Sequence, residues 1–272
     1  MNDVTERFVE VVHRAPDTIP LDEAMLLIAA HAHPSLDLAA RLEQLDALAD
    51  AVRVRDPDGV AQWLFGPAGF TGNTTAYYDP ANSYLDDVLD RRLGIPITLS
   101  VLMMEVARRV DVRLVGVGMP GHFLVGLPGD SGSGTFTGDR VARWYDPFHG
   151  PAPIDFTACA ALFARSQAAS PDDLRVEQLA PVGPVAILDR VLANLQAALL
   201  RRSPASAVWP TRLRLRMPSV SRDGRVELAT TLGNLGQFGE AAAVFDALAD
   251  ELGPNAAARA RRAASQLRAR AN

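Results

Sequence analysis

Residues 95–110 read IPITLSVLMMEVARRV, and the reading of this stretch decides the fold. Ile97, Val101, Leu102, Met104, Val106 and Val110 leave it little polar surface, which predicts a central helix buried on most of its sides. Pro96 suits the first helical position, where a missing N–H costs little. Such a helix needs cover from elements on every side, and the flanking sequence has to supply it.

Upstream, residues 83–92, SYLDDVLDRR, predict a short helix with Asn82 or Ser83 as its cap and Gly94 as a left-handed terminator. Before it, FGPAGFTGNTTAYYDPANS (65–83) is rich in Gly, Pro, Asn and Asp and reads as an irregular loop. Further back, helices are expected over 3–15, 20–33 and 34–54. In the last of these Leu38, Leu42, Leu45 and Leu48 recur at the spacing of one helix face.

Downstream the period changes. VRLVGVGM (112–119), HFLVGL (122–127) and VARWYDPF (141–148) are short Val- and Leu-rich runs broken by Gly and Pro, and they read as strands. GDSGSGTFTGD (129–139) reads as a hairpin tip. Helices return from about 155. The expected class is α+β, with a central helix against a small antiparallel sheet.

Two domains are expected: 1–165, with the sheet and the N-terminal helices, and a helical region over 166–272. SPASAVWP (203–210) reads as a linker or long loop. GQFGEAAAVFDAL (236–248) has the form of a helix–turn–helix unit, with Gly236 near the turn, and a tetratricopeptide-like repeat is expected over about 222–268. One repeat cannot bury its own face, so it should pack on the helix of 185–201. Its exposed side is the expected surface for a protein partner.

Composition excludes several classes. All 27 basic residues are Arg, yet the net charge is −5, which argues against nucleic-acid binding through bulk positive charge. Cys159 is the one cysteine, too few for a disulfide or a Cys-based zinc site. The N-terminus lacks the pattern of a secretory signal, and no apolar run approaches the ~20 residues of a membrane span. A cytoplasmic protein without nucleic-acid or membrane partners is expected, with no cofactor and no metal.

The chemistry-bearing candidates are few. His122, in MPGHFLV, opens one strand, and Asp146, in WYDPF, closes the next. Adjacent antiparallel strands would bring them together, and an imidazole oriented by a carboxylate is two-thirds of a nucleophile triad. The alternative is a core histidine satisfied by Asp146, which itself fixes a turn before Pro147. Tyr77, Tyr78, Asp79 and Asn82 either hold a structural loop or line a ligand cleft beside His122. Glu23 and Glu105 are expected to pair with Arg91 or Arg92. His31 and His33 alternate without further ligands in sight, His149 reads as a loop residue, and Cys159 as a small buried one.

FTGNTTAYYDPANSYLDDVLDRRLGIPITLSVLMMEVARR (70–109), GVGMPGHFLV (116–125) and WYDPF (144–148), taken together, resemble the transglutaminase-like family of bacterial SirB-type proteins, related to a domain in a eukaryotic F-box protein. The resemblance covers about 20–165, and a tetratricopeptide-like tail is usual for the family. It implies a papain/transglutaminase-like core with a Cys–His–Asp triad. His122 and Asp146 match the His and Asp. Counting back from Asp111 puts the family cysteine on Pro96, so Gly94-Ile95-Pro96 stands where Gly-x-Cys is expected. The resemblance therefore implies a non-catalytic binding or regulatory module. The alternative is a hydrolase or acyl transferase in which His122 and Asp146 serve a nucleophile other than cysteine.

Overall fold

Local signals set the first helices. In the structure, a computed structural model that describes residues 3–128 and 141–271, they are α1 (Asp3–Val12), α2 (Leu21–Ala30), α3 (Leu38–Asp50) and α4 (Pro57–Leu64). Asp37 starts α3 by accepting from the Ala40 amide at 3.1 Å, and Asp56 starts α4 by accepting from Gly59 at 2.7 Å. Each carboxylate satisfies a first-turn N–H that has no partner within the helix. Helix α4 is additional to the expected helices, although Asp56-Pro57 carries a cap and an N-terminal proline.

Within the expected loop, β1 (Thr71–Gly72) pairs in parallel with β2 (Leu93–Gly94), flanking α5 (Leu85–Arg91). The expected ends of α5 need correction. Tyr84 is its N-cap, because the Asn82 amide is spent inside the preceding loop. Arg92, at φ +61°, is the left-handed residue, whereas Gly94 lies in β2, where a Cβ would come 3.0 Å from Leu99.

Helix α6 (Pro96–Arg109) is buried along most of its length, with only Met104, Arg108 and Arg109 reaching partial or full exposure. Helices α2, α3, α4 and α5 pack on it, and so do β3 (Val115–Val117) and β4 (Leu124–Pro128). The sheet continues through β5 (Val141–Tyr145), β6 (Pro153–Ile154) and β7 (Pro181–Val182) in the order β6-β5-β4-β3-β7, every pair antiparallel. Helix α7 (Phe156–Gln167), capped by Asp155, buries Cys159, Leu162 and Phe163 against Val117, Met119, Leu124 and Trp144. This is the expected α+β arrangement. The expected hairpin tip at 129–139 lies outside the described residues.

The chain forms two compact units, Met1–Val191 and Leu192–Asn272. The division falls later than 165/166 because β7 joins the sheet through Val182↔Gly116 and Pro181↔Val117. Helix α8 (Pro184–Arg202) runs from the first unit into the second. In the second unit the expected linker at 203–210 is helical: a 3₁₀ turn at Pro204–Ala207 leads into α9 (Val208–Leu215). Then come α10 (Arg222–Asn234), α11 (Phe238–Asp250) and α12 (Pro254–Ala271). Gly236, at φ +80°, turns the chain between α10 and α11. Helix α10 packs on α9, and α9 reaches α8 through Arg214 Nη1, which donates to Gln196 Oε1 at 2.8 Å. Among the described residues no helix is long and apolar enough to cross a membrane.

The charged end of α6 is satisfied internally. Glu105 accepts from Arg108 at 2.8 Å and Arg109 at 3.2 Å, while Asp22 accepts from Arg109 at 2.6 Å and Arg108 at 3.0 Å. The expected pairing of Glu105 with Arg91 or Arg92 is corrected: residues three and four positions on share its helix face and reach it first. Glu23 pairs instead with Arg7. Burial, reinforced by the Asp22 charge, pushes the Glu105 carboxyl up to about 7 against the arginines. A group whose folded pKa is raised contributes stability below its unfolded value, 4.5 here, and loses it as pH rises through 7. Wild-type protein should therefore lose urea resistance as pH rises from about 4.5 to about 7, and Glu105→Gln should flatten that decline. Parallel declines in the two proteins, measured as unfolding midpoints, would remove Glu105 as the cause.

Candidate functional site

Sheet register places the first pair. Val125 faces Tyr145 and Gly126 faces Trp144, so the residues just before β4 and just after β5 leave the sheet at the same end. His122 precedes β4 and Asp146 follows β5. His122 Nε2 donates to Asp146 Oδ1 at 2.9 Å, and both side chains are buried. The other carboxylate oxygen is also engaged: His149 Nδ1 donates to Asp146 Oδ2 at 2.6 Å. The Phe148 amide adds a 3.2 Å hydrogen bond to Oδ1. One buried carboxylate thus orients two imidazoles. Burial alone would raise the Asp146 pKa, but His122 and then His149, through hydrogen bonds and charge, hold it below the usual carboxylate value.

The surroundings fix this geometry. Arg190 donates to the carbonyls of Met119 at 3.0 Å and His122 at 2.7 Å and lies over the Phe123 ring, pinning the entry to β4. Gly121, at φ +71°, lets the chain pass α7, because a Cβ there would lie 2.2 Å from Gln167 and 2.6 Å from Ser166. On the opposite side β1 approaches Phe148 so closely that a Cβ on Gly72 would lie 2.5 Å from its ring and carbonyl. Gly72 pairs with Gly94, and Asn73 donates to the Gly94 carbonyl at 2.9 Å. The 71–82 loop therefore ties the Asp146 turn to the start of α6, where Pro96 is the first helical residue.

The expected site residues separate into two groups. Phe148 is a hub, with ring centroids 6.3 Å from His122, 5.1 Å from His149 and 5.9 Å from Tyr77. Tyr77 is partly exposed and meets Tyr78 edge-on at 5.3 Å, which puts an aromatic edge beside the histidines. Asn82 and Asp79 serve the loop itself. Asn82 is fully buried, and its amide donates to the carbonyls of Ala76 and Tyr77 and accepts from Asn73. Asp79 caps the 3₁₀ turn at Pro80–Asn82 and pairs with Arg91 at 3.4 Å. Neither Asn82 amide atom is left for a ligand.

Cys159 lies in α7, fully buried, and its sulfur makes no hydrogen bond among the described residues. Burial, together with the charges of Asp146 and Asp155, pushes its thiol up to about 12. Two groups among the described residues have donor atoms close enough to consider for a cation: His122, Asp146 and His149, and His33, Asp86 and Asp87. His33 Nδ1 lies 2.6 Å from Asp86 Oδ2, a partner that the alternating His31–His33 pattern did not indicate. Separations of 2.6–2.9 Å are hydrogen-bond lengths; two donors on one tetrahedral ion, each about 2.0–2.1 Å away, stand about 3.3 Å apart.

Sequence reasoning missed His149, Phe148 and Arg190. His149 had a signal, since Asp-Pro favours a turn that returns residue i+3 to the carboxylate. Arg190 had none, because it reaches the site from a helix 68 positions beyond His122.

Asp146→Asn tests the double anchor. The amide keeps the shape but turns a donor toward one imidazole, so that ring must change tautomer or lose its bond. Stability should fall by about 1–3 kcal/mol near neutral pH. The Asp146 contribution is present above 3.8, its ordinary value, and is lost as pH falls through the depressed folded value. The gap between wild type and variant should therefore close below about pH 4. Imidazole ¹⁵N spectra showing unchanged tautomers in the variant would sink the anchor role.

The profile of the transglutaminase-like superfamily matches residues 37–193. A UPF0162 protein of Xylella fastidiosa (strain Temecula1) is 37% identical over 195 residues, covering 66% of this chain and 65% of that protein. A UPF0162 protein of Vibrio cholerae is 32% identical over 133 residues, 49% of this chain and 46% of the relative. F-box only protein 21 of Homo sapiens is 41% identical over 68 residues, 25% of this chain and 11% of that protein. The match thus spans just under two thirds of the Xylella relative's own length. No solved structure matches the chain.

Proposed function

The chain belongs to the transglutaminase-like superfamily, and on that premise we propose that it is a non-catalytic, SirB-type member that works as a binding or regulatory module in the cytoplasm. The observation that carries this reading is Pro96 at the first position of α6. A thiolate nucleophile gains from a helix N-terminus and a neighbouring imidazole. Here the helix start and the His122–Asp146 pair are present, and the residue at the helix start has no nucleophilic atom. Cys159 is a poor substitute, since a thiol pushed up to about 12 holds almost no thiolate near neutral pH.

On this reading His122 and Asp146 are the remnant of the triad, and Tyr77 and Tyr78 offer a ligand the aromatic edge of the cleft. Asp79 and Asn82 shape that edge from behind. The helices of the second unit supply the surface for a protein partner, as a tetratricopeptide-like hairpin would. Support there comes from small residues at the α10–α11–α12 contacts: Ala229, Ala242, Ala257, Ala260 and Ala264 are all buried.

Thiol labelling tests the proposal. Wild-type protein should show no thiol-dependent peptidase or transglutaminase turnover and should react only slowly with iodoacetamide. Pro96→Cys should fold, because proline is dispensable at that position, and its new thiol should label faster than a surface cysteine. Rapid wild-type labelling at Cys159 that disappears in His122→Ala would overturn the non-catalytic reading.

A further inference from the structure

His149 is exposed. Together with the segment that leads into β6 and one wall of α7, it lines a cavity of about 390 Å³, within the ~300–1,000 Å³ range of small-ligand sites. Pro151, Ile154, Ala158, Ala161 and Leu162 make most of the wall apolar. The polar groups are Asp146, His149 and Arg165. Arg165 stands in the last turn of α7, exposed, with no ion pair or hydrogen bond among the described residues.

The charges favour one sign of ligand. Both Asp146 oxygens are already taken, by His122 and the Phe148 amide on one side and by His149 on the other. Those three donors already offset the Asp146 charge, which leaves less of it for a cationic ligand. An anion meets a guanidinium that is always charged and that offers its donors in fork geometry. It also meets His149, whose Nδ1 proton is held by Asp146, leaving Nε2 as the ring's remaining polar atom.

We propose that this cavity binds the carboxylate of a short aliphatic acid, with the carboxylate between Arg165 and His149 and the aliphatic chain against Ile154, Ala158 and Leu162. The inference rests on the binding role proposed above, and the two fail separately: loss of carboxylate binding leaves the labelling result untouched, and the reverse also holds. The same chemistry is offered by a free fatty acid and by a peptide ending in a leucine carboxylate.

The test is a titration of ¹⁵N-labelled full-length protein with hexanoate, hexan-1-ol and N-acetylglycyl-leucine, read from amide shifts. Hexanoate should shift amides across 149–165 saturably, with hexan-1-ol about tenfold weaker, the effect of one charge-assisted pairing. Arg165→Ala should weaken hexanoate about tenfold, and Arg165→Lys should weaken it by less, because the charge stays while the fork is lost; His149→Gln should weaken it in the same sense. Both positions are exposed, so these variants should fold. Tighter binding of the acetylated dipeptide would support a chain terminus as the source, and tighter hexanoate a free acid. Absence of a saturable shift, equal binding of hexan-1-ol, or an Arg165→Ala variant with unchanged affinity would overturn the proposal.

Discussion

Helix α6 has almost no solvent face, and that constraint organises the first unit. A helix apolar all round is stable only when neighbours cover it on every side. Helices α2 to α5 supply one part of the cover, and β3 and β4 supply another. The cost of burying such a helix falls on its polar groups. At its far end Glu105 is buried with Asp22 and is compensated by Arg108 and Arg109, since a buried carboxylate without partners would be far more damaging than a paired one. Near its start the Thr98 and Ser100 hydroxyls are buried with no hydrogen-bond partner among the described residues.

The fixed helix makes the rest of the site possible. Its first turn is held to β1 and β2, β1 presses Gly72 onto Phe148, and Phe148 belongs to the turn that carries Asp146 and His149. A larger residue at position 72 would push that turn away. Asp146 then acts as an electrostatic anchor: buried, and held below its ordinary pKa by the two imidazoles it orients. Two surfaces result, an aromatic edge at Tyr77 and an apolar cavity beside His149. They share one carboxylate, so a change that loosens Asp146 should be felt on both.

The second unit is held by another kind of contact. Ala229, Ala242, Ala249, Ala257, Ala260 and Ala264 are buried between its helices together with Phe245 and Leu248. Small side chains let helix backbones approach closely, and Gly233 continues the trend, because a Cβ there would come 2.8 Å from Leu267. Each such contact is modest, so the unit relies on the number of close approaches more than on any single large residue.

The sequence by itself determined the periodicities and their direct consequences. The run at 95–110 had to be a buried helix starting at Pro96, the Val-rich runs on either side of His122 and before Asp146 had to be strands, and an antiparallel order brought those two residues to one end of the sheet. It determined equally that Pro96 brings no nucleophile to the helix start. These are properties of local spacing and residue chemistry. Only the tertiary structure decided which partners lie across long separations. Residues 166–191 join the sheet through β7, Arg190 reaches the carbonyl of His122, and Glu105 takes Arg108 and Arg109 over Arg91 and Arg92. Asn82 is sealed inside its loop, and His149 turns back onto Asp146 to face a cavity. Periodicity specifies which face of an element is buried. Which side chain lies opposite it depends on how the elements pack together, and that is set by the whole core at once.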